Sequence, residues 1–405
     1  HVYLGVIMNE LQLGWIDFSK EQRNKVIRVI NLLSEPEAVD ELGIGVIRDG
    51  FANIFFPGTS TIQTRAKYFL LVPYILNDLE RKRGMNADRL IKSLYEEELN
   101  LIDVLKKSGE YGVIGERSGK KLKRKPSDIY WNGIRTYGIF TGGKMSLNNY
   151  AKLSCLFKDK QQKLKDQVSL KSKDDETDGD DTDAVSGEFN GFWKLPDYSD
   201  KWKEDLSIRL TYIEAEFLKN QILLTCSDSL LGYVLKNNYT DFLLFNSFDE
   251  IEGMINILPD SIKKDYIPAK KFADFIYGAH LRYNVMLSKG EDDALSAEWE
   301  WWHSQMKKYA DIDLDDIFSR LSINNIKLKR FLKDCKEAML EDDIDRLDEA
   351  VIRREVSIKG EKRSKLRNNE FEYKGWTGIG KLEYRLRNAQ NIIRDIYEGL
   401  GDKDA

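Results

Sequence analysis

The stretch Phe51-Ala-Asn-Ile-Phe-Phe-Pro-Gly-Thr-Ser-Thr-Ile-Gln-Thr-Arg-Ala-Lys-Tyr-Phe-Leu-Leu-Val-Pro73 sets an arginine inside an apolar run, and that arginine limits what can be built around it. Pro57-Gly58 marks a turn, and Ser60 with Gln63 three residues later is a capping box, so the spacing predicts a helix from about Thr61, kinked or interrupted near Pro73. On such a helix Ile62, Ala66, Phe69, Leu70 and Val72 share a face, with Gln63, Thr64 and Lys67 opposite. Arg65 falls among the apolar residues. A guanidinium cannot shed its charge, so it must meet a carboxylate, a phosphate or several carbonyls. Two readings follow. Arg65 pairs with a carboxylate from the N-terminal segment, Asp17 first and Asp49 second, or it holds an anion together with the amides of Thr59, Ser60 and Thr61 at a helix start.

A chain of 405 residues exceeds the size of one growing core, so two domains are expected. The three cysteines lack CxxC spacing, and no apolar run reaches the roughly 18 residues of a membrane span. A cytoplasmic protein without membrane contact fits both facts. Only three histidines occur, none at ligand spacing from a cysteine or another histidine, and no metal or cofactor site is expected. With a net charge of -5, any surface for nucleic acid must be local.

Helical periodicity dominates, which predicts a mainly α, multi-helical protein. Ser19 with Gln22 caps a first helix, residues 44–56 read as a few short strands, and a helix runs from about Ala87 to Lys107. The expected division is a helical domain over 1–157, an acidic disordered linker or insertion over 158–188, and a second helical domain over 189–405. Seven of the ten residues from Asp174 to Asp183 are acidic, a composition that cannot bury enough surface to order itself. It reads as a solvated linker or as an acidic lure competing with phosphates.

Six of the nine residues from Arg117 to Lys125 are basic: Arg117, Lys120, Lys121, Lys123, Arg124 and Lys125. Tyr130, Trp131, Arg135 and Tyr137 follow. Cations for phosphates, flat rings for bases and glycines for close approach make this the candidate for DNA or RNA binding, with Trp131 and Arg135 as contacts. A solvated loop beside a buried aromatic helix explains the same residues. The helices and Gly142-Gly143 turn near 127–157 also fit a helix-turn-helix. Gly375-Trp-Thr-Gly-Ile-Gly380-Lys381 spells most of a phosphate-binding loop, but Leu382 stands where the magnesium-binding hydroxyl belongs, so a glycine-rich hinge is expected. No catalytic constellation emerges.

Gly14-Trp-Ile-Asp-Phe-Ser19, the Phe51–Phe69 motif and Tyr277-Gly-Ala-His-Leu-Arg-Tyr-Asn284 together resemble a bacterial family known only as a domain of unknown function. The resemblance implies a place among helicase and nuclease genes of phage-defence islands, with helicase or nuclease subunits as protein partners. The expectation is therefore a DNA-associated accessory component of an antiphage system. A protein-only scaffold and a nuclease of unfamiliar type are its alternatives.

Overall fold

The computed structural model describes residues 39–107, 109–171, 191–204 and 206–401. The expected helix near Ser19, the carboxylate of Asp17 and the most acidic run lie outside the described residues. The protein is mainly helical, and the described residues contain no sheet; their sole bridge is the antiparallel pair Phe140 and Trp193. None of their helices is long and apolar enough to cross a membrane.

The chain forms two compact units, each discontinuous in sequence. One comprises His1–Ile44 with Lys271–Leu382, the other Gly45–Lys270 with Glu383–Ala405. This division differs from the sequential one expected over 1–157 and 189–405.

In the larger unit, Gly45–Phe55 is a helix, α1, rather than the expected strands. Ile47, Phe51, Ala52 and Phe55 are buried and recur at helical spacing, and this periodicity overrides the β-branched and aromatic composition. Helix α2 (Tyr68–Arg81) runs unbroken through Pro73 and is buried over most of its surface. Helix α3 (Ala87–Lys106), capped by Asn86, packs on α2. Helix α4 (Pro126–Thr136) also packs on α2, and α5 (Leu147–Lys171) packs on α3. The connection from 137 to 146 exceeds the three-to-four-residue turn of a helix-turn-helix. Because α5 continues to Lys171, the first part of the expected linker is helical.

Helix α6 (Tyr212–Thr225) opens with the expected Thr211 and Glu214 capping box, and α7 is Leu230–Lys236. Helix α8 (Asp260–Leu287) contributes its residues up to Lys270 here and those from Lys271 to the smaller unit. That unit continues with α9 (Asp293–Ser304), α10 (Met306–Ala310), α11 (Leu314–Arg320), α12 (Ile326–Glu341) and α13 (Ile344–Lys359). The terminal helix of the larger unit, α14 (Leu386–Gly401), packs against α6.

The junction of α3 with α4 depends on a buried carboxyl. Glu98 accepts from the Ser127 amide at 2.5 Å and the Ser127 hydroxyl at 3.0 Å, satisfying the first turn of α4 behind Pro126. Burial pushes Glu98 from its ordinary 4.5 up to about 8, against the two Ser127 hydrogen bonds. Between those values the folded protein keeps a proton that the unfolded chain has lost. Stability therefore falls as pH rises across this window. Glu98→Gln should flatten the decline in melting temperature between about pH 5 and 8, and a variant with the wild-type slope would contradict this assignment.

Candidate functional site: the Arg65 centre and the basic loop

Residues 57–67 form turns, and the helix expected from Thr61 starts only at Tyr68. Half of the capping box is present, since the Ser60 amide donates to Gln63 Oε1 at 3.1 Å. The following amides are drawn elsewhere. Thr64 and Arg65 donate to the Tyr130 hydroxyl at 2.9 and 3.1 Å, that hydroxyl donates to the Arg65 carbonyl at 2.8 Å, and the Ala66 amide donates to Asp395 Oδ2 at 2.7 Å. The Arg65 and Ala66 amides, committed to acceptors outside the segment, are not available to close the first i to i−4 bonds of a helix from Thr61.

Arg65 is 2% exposed and paired with a carboxylate, but with Asp395 of α14. Its Nε lies 2.9 and 3.0 Å from the two carboxylate oxygens, and Nη1 donates to the Tyr111 carbonyl at 3.0 Å. Burial opposes the Arg65 charge, but the hydrogen bonds and charge of Asp395 outweigh it and raise its pKa. On Asp395, burial pushes the carboxyl up while Arg65 and the Ala66 amide pull it back. The guanidinium reaches both carboxylate oxygens, so each group offsets part of the cost of burying the other. Asp49, the second expected partner, instead pairs with Arg48 at 3.1 Å and Arg385 at 3.0 Å.

The rest of the motif is equally committed. The Gln63 amide group donates to the Gly58 carbonyl at 3.1 Å, and Lys67 reaches Glu214 Oε2 at 2.5 Å, whose other oxygen accepts from Tyr74 at 3.2 Å. Arg385 Nη1 donates to the Thr59 carbonyl at 2.7 Å, and Asn388 holds the Thr61 and Gln63 carbonyls at 3.1 and 2.9 Å. Gly58, at φ +77°, has no room for a side chain: a Cβ would stand 2.6 Å from the Tyr137 ring. Thr59 turns its amide and hydroxyl to the Phe56 carbonyl. The amides proposed to cradle an anion are therefore not those of a helix start.

This centre also anchors the glycine-rich segment that carries the basic loop. Thr64 donates to the Gly112 carbonyl at 2.6 Å, and the Ile114 amide donates to the Tyr68 hydroxyl at 2.9 Å. A Cβ on Gly112 would approach Arg65 Cγ to 3.0 Å. Beyond this base, Arg117, Lys120, Lys121, Lys123 and Arg124 are exposed, and among the described residues none forms an ion pair. Lys125 is half-buried and donates to the Leu122 carbonyl. The rings expected to stack on bases are not accessible. Trp131 is 8% exposed among Phe140, Tyr150 and Trp193 and donates to the Met145 carbonyl at 3.0 Å; Tyr130 and Tyr137 are fully buried. Arg135 braces the same turn through the Lys144 carbonyl at 2.6 Å.

In the smaller unit, the Tyr277–Asn284 motif is likewise spent on packing. Trp302 fills the space a Cβ on Gly278 would need, Arg282 pairs with Asp348 at 2.5 Å, and Asn284 holds the amide and carbonyl of Thr377 at 2.6 and 3.0 Å. His280 is buried, which lowers its pKa to about 4. His303 stacks on Trp299 and meets Asp342 at 2.7 Å. Lys381 of the phosphate-loop lookalike is 5% exposed and pairs with Asp274 at 2.8 Å.

A further buried polar centre gave no local signal. Glu355, fully buried, accepts from Tyr283 at 2.7 Å, Lys359 at 2.8 Å and Ser364 at 2.5 Å, while Glu41 pairs with Lys359 and with Lys365 at 2.8 Å. Among the described residues, no three His, Cys, Asp or Glu side chains are placed to hold a metal.

Removing one partner of the Arg65 pair leaves the other charge buried. Arg65→Met should therefore cost about 3–5 kcal/mol in urea unfolding. A variant that unfolds like the wild type would contradict a structural role.

No curated protein matches the chain, and no solved structure does. The match that exists is to a family model, over residues 10–346, a span that includes the Arg65 motif, the basic loop and the Tyr277–Asn284 motif. The chain belongs to a family of unknown function, DUF6361.

Proposed function

We propose that this protein is an accessory component that holds the phosphates of DNA or RNA with the loop from Arg117 to Lys125, beside helicase or nuclease partners in the antiphage setting that the family resemblance implies. The carrying observation is the loop itself: five exposed cations without ion-pair partners among the described residues, on a base fixed by Thr64 and Tyr68. Charge presented on a fixed base meets a polyanion without ordering a flexible segment first, which spares part of the entropy of binding. Because Trp131 is buried, the contact is with phosphates rather than bases. Binding is accordingly tolerant of sequence and steeply dependent on salt.

Changing the exposed Lys120, Lys121, Lys123 and Arg124 to Ala should leave the melting temperature unchanged. It should reduce the slope of log affinity against log salt by about 0.7 for each phosphate of a single-stranded oligonucleotide that is no longer neutralised. Fluorescence anisotropy across a salt series measures it. An unchanged slope would assign the loop to solvent and favour the scaffold alternative, whose mark is a co-purifying protein that survives nuclease treatment.

A further inference from the structure

Helices α12 and α13 form an antiparallel pair in the smaller unit, joined through Asp342 in the left-handed region at φ +58°. Between them runs a groove of about 380 Å³. Four cations line it, Lys327, Arg330, Arg353 and Arg354, against the single carboxylate of Asp334. Asp334 is already engaged with Arg353 at 3.5 Å. Among the described residues, Lys327, Arg330 and Arg354 have no ion-pair partner.

Arg354 is the unusual member. It is 7% exposed, and its Nε and Nη2 donate to the carbonyls of Leu42 and Gly43 at 2.8 and 3.0 Å. Its guanidinium also lies 5.5 Å from the centre of the Phe331 ring. Carbonyls and a ring solvate a guanidinium but do not neutralise it; burial lowers its pKa, and the charge of Asp40 opposes that. The glycine at position 43 permits this close approach: Gly43 has φ +62°, and a Cβ on it would stand 2.8 Å from Arg354 Nη2. A buried positive charge is thus fixed in a groove whose walls add more positive charge. Such a place calls for an anion.

We infer that the groove between α12 and α13 is a binding site for a small organic phosphate of the mononucleotide class. The cations meet the phosphate, and the exposed side chain of Ile326 at the rim offers an apolar surface to a ring, while the buried Phe331 supports Arg354 from beneath. The volume lies within the range of about 300–1,000 Å³ common for small-molecule sites. Burial of Arg354 favours a compact ligand over a nucleic-acid strand. A strand lying across the surface reaches Lys327 and Arg330, whereas a small phosphate can enter the groove. The site is independent of the loop from Arg117 to Lys125.

The test is calorimetric titration of the full chain with AMP as probe, beside inorganic phosphate and a single-stranded oligonucleotide. AMP should bind at one site, more tightly than inorganic phosphate. The double variant Lys327→Glu/Arg330→Glu should weaken AMP binding by about tenfold or more, because two attractive charges become repulsive. Both residues are exposed, so the variant should melt like the wild type without ligand. Changing the loop lysines and arginine to Ala should leave AMP binding intact, which separates failure of this site from failure of the loop. Absence of heat with AMP at millimolar concentration would overturn the inference. So would AMP affinity unchanged in the double variant, inorganic phosphate binding as tightly as AMP, or loss of oligonucleotide binding in that variant without any AMP site.

Discussion

The bond between Arg65 and Asp395 joins residues 330 positions apart, and much of the larger unit is arranged so that both can stay charged inside it. Desolvating two ions is expensive, and their attraction offsets that cost only when geometry is good and the remaining hydrogen-bonding positions are filled. Here they are filled by backbone. Tyr111 supplies a carbonyl to the guanidinium, and Ala66 supplies an amide to the carboxylate. The pair thereby ties three separate segments: the turn before α2, the glycine-rich stretch after α3, and α14. A buried pair of this kind is weak evidence for net stability, but removing either partner strands the other charge.

From that centre the position of the basic loop follows by proximity. Thr64, Arg65 and Tyr68 are successive or near-successive residues of one motif, and each fixes a point on the segment 111–114. Arg117 to Lys125 then projects from a base that the core has already ordered. The motif thus holds the base of the loop, while its own polar groups are spent on partners inside the protein. The smaller unit repeats the pattern with different residues: Arg282, Tyr283 and Asn284 bind α13, the Glu355 cluster and the 375–382 segment.

The need for a partner at Arg65 was legible in the sequence, because burial of a permanent charge is a local inference from the residues around it. The partner was not. Asp395 sits on the face of α14 with Ile392, Ile393 and Ile396 and differs from any other acidic residue only by what folds against it. The start of α2 departs from the expected one for a related reason. Ser60 and Gln63 interact as the capping box predicts, yet Tyr130 and Asp395 capture the next amides, and no local rule anticipates acceptors from distant segments. Residues 44–56 carry the composition of strands and the spacing of a helix, and spacing prevailed once Ile47, Phe51 and Phe55 had a core to face. Trp131 shared an apolar face with Tyr137 on sequence alone, and burial of both decided between stacking on bases and packing. Exposure of the basic loop was readable from its charge density. The Glu41–Lys359–Lys365 contacts and the groove beside Arg354 were not, because they exist only where distant segments converge.

The most direct measurement of the central claim is a double-mutant cycle on Arg65→Met and Asp395→Leu, read by urea unfolding. If the pair specifies the centre, each single change strands a charge and the double change relieves both. The double variant should then be more stable than the sum of the singles implies, with a coupling of about 2 kcal/mol or more. Additive effects, within about 0.5 kcal/mol, would show that the two residues act independently and would remove the interaction on which the rest of the account depends.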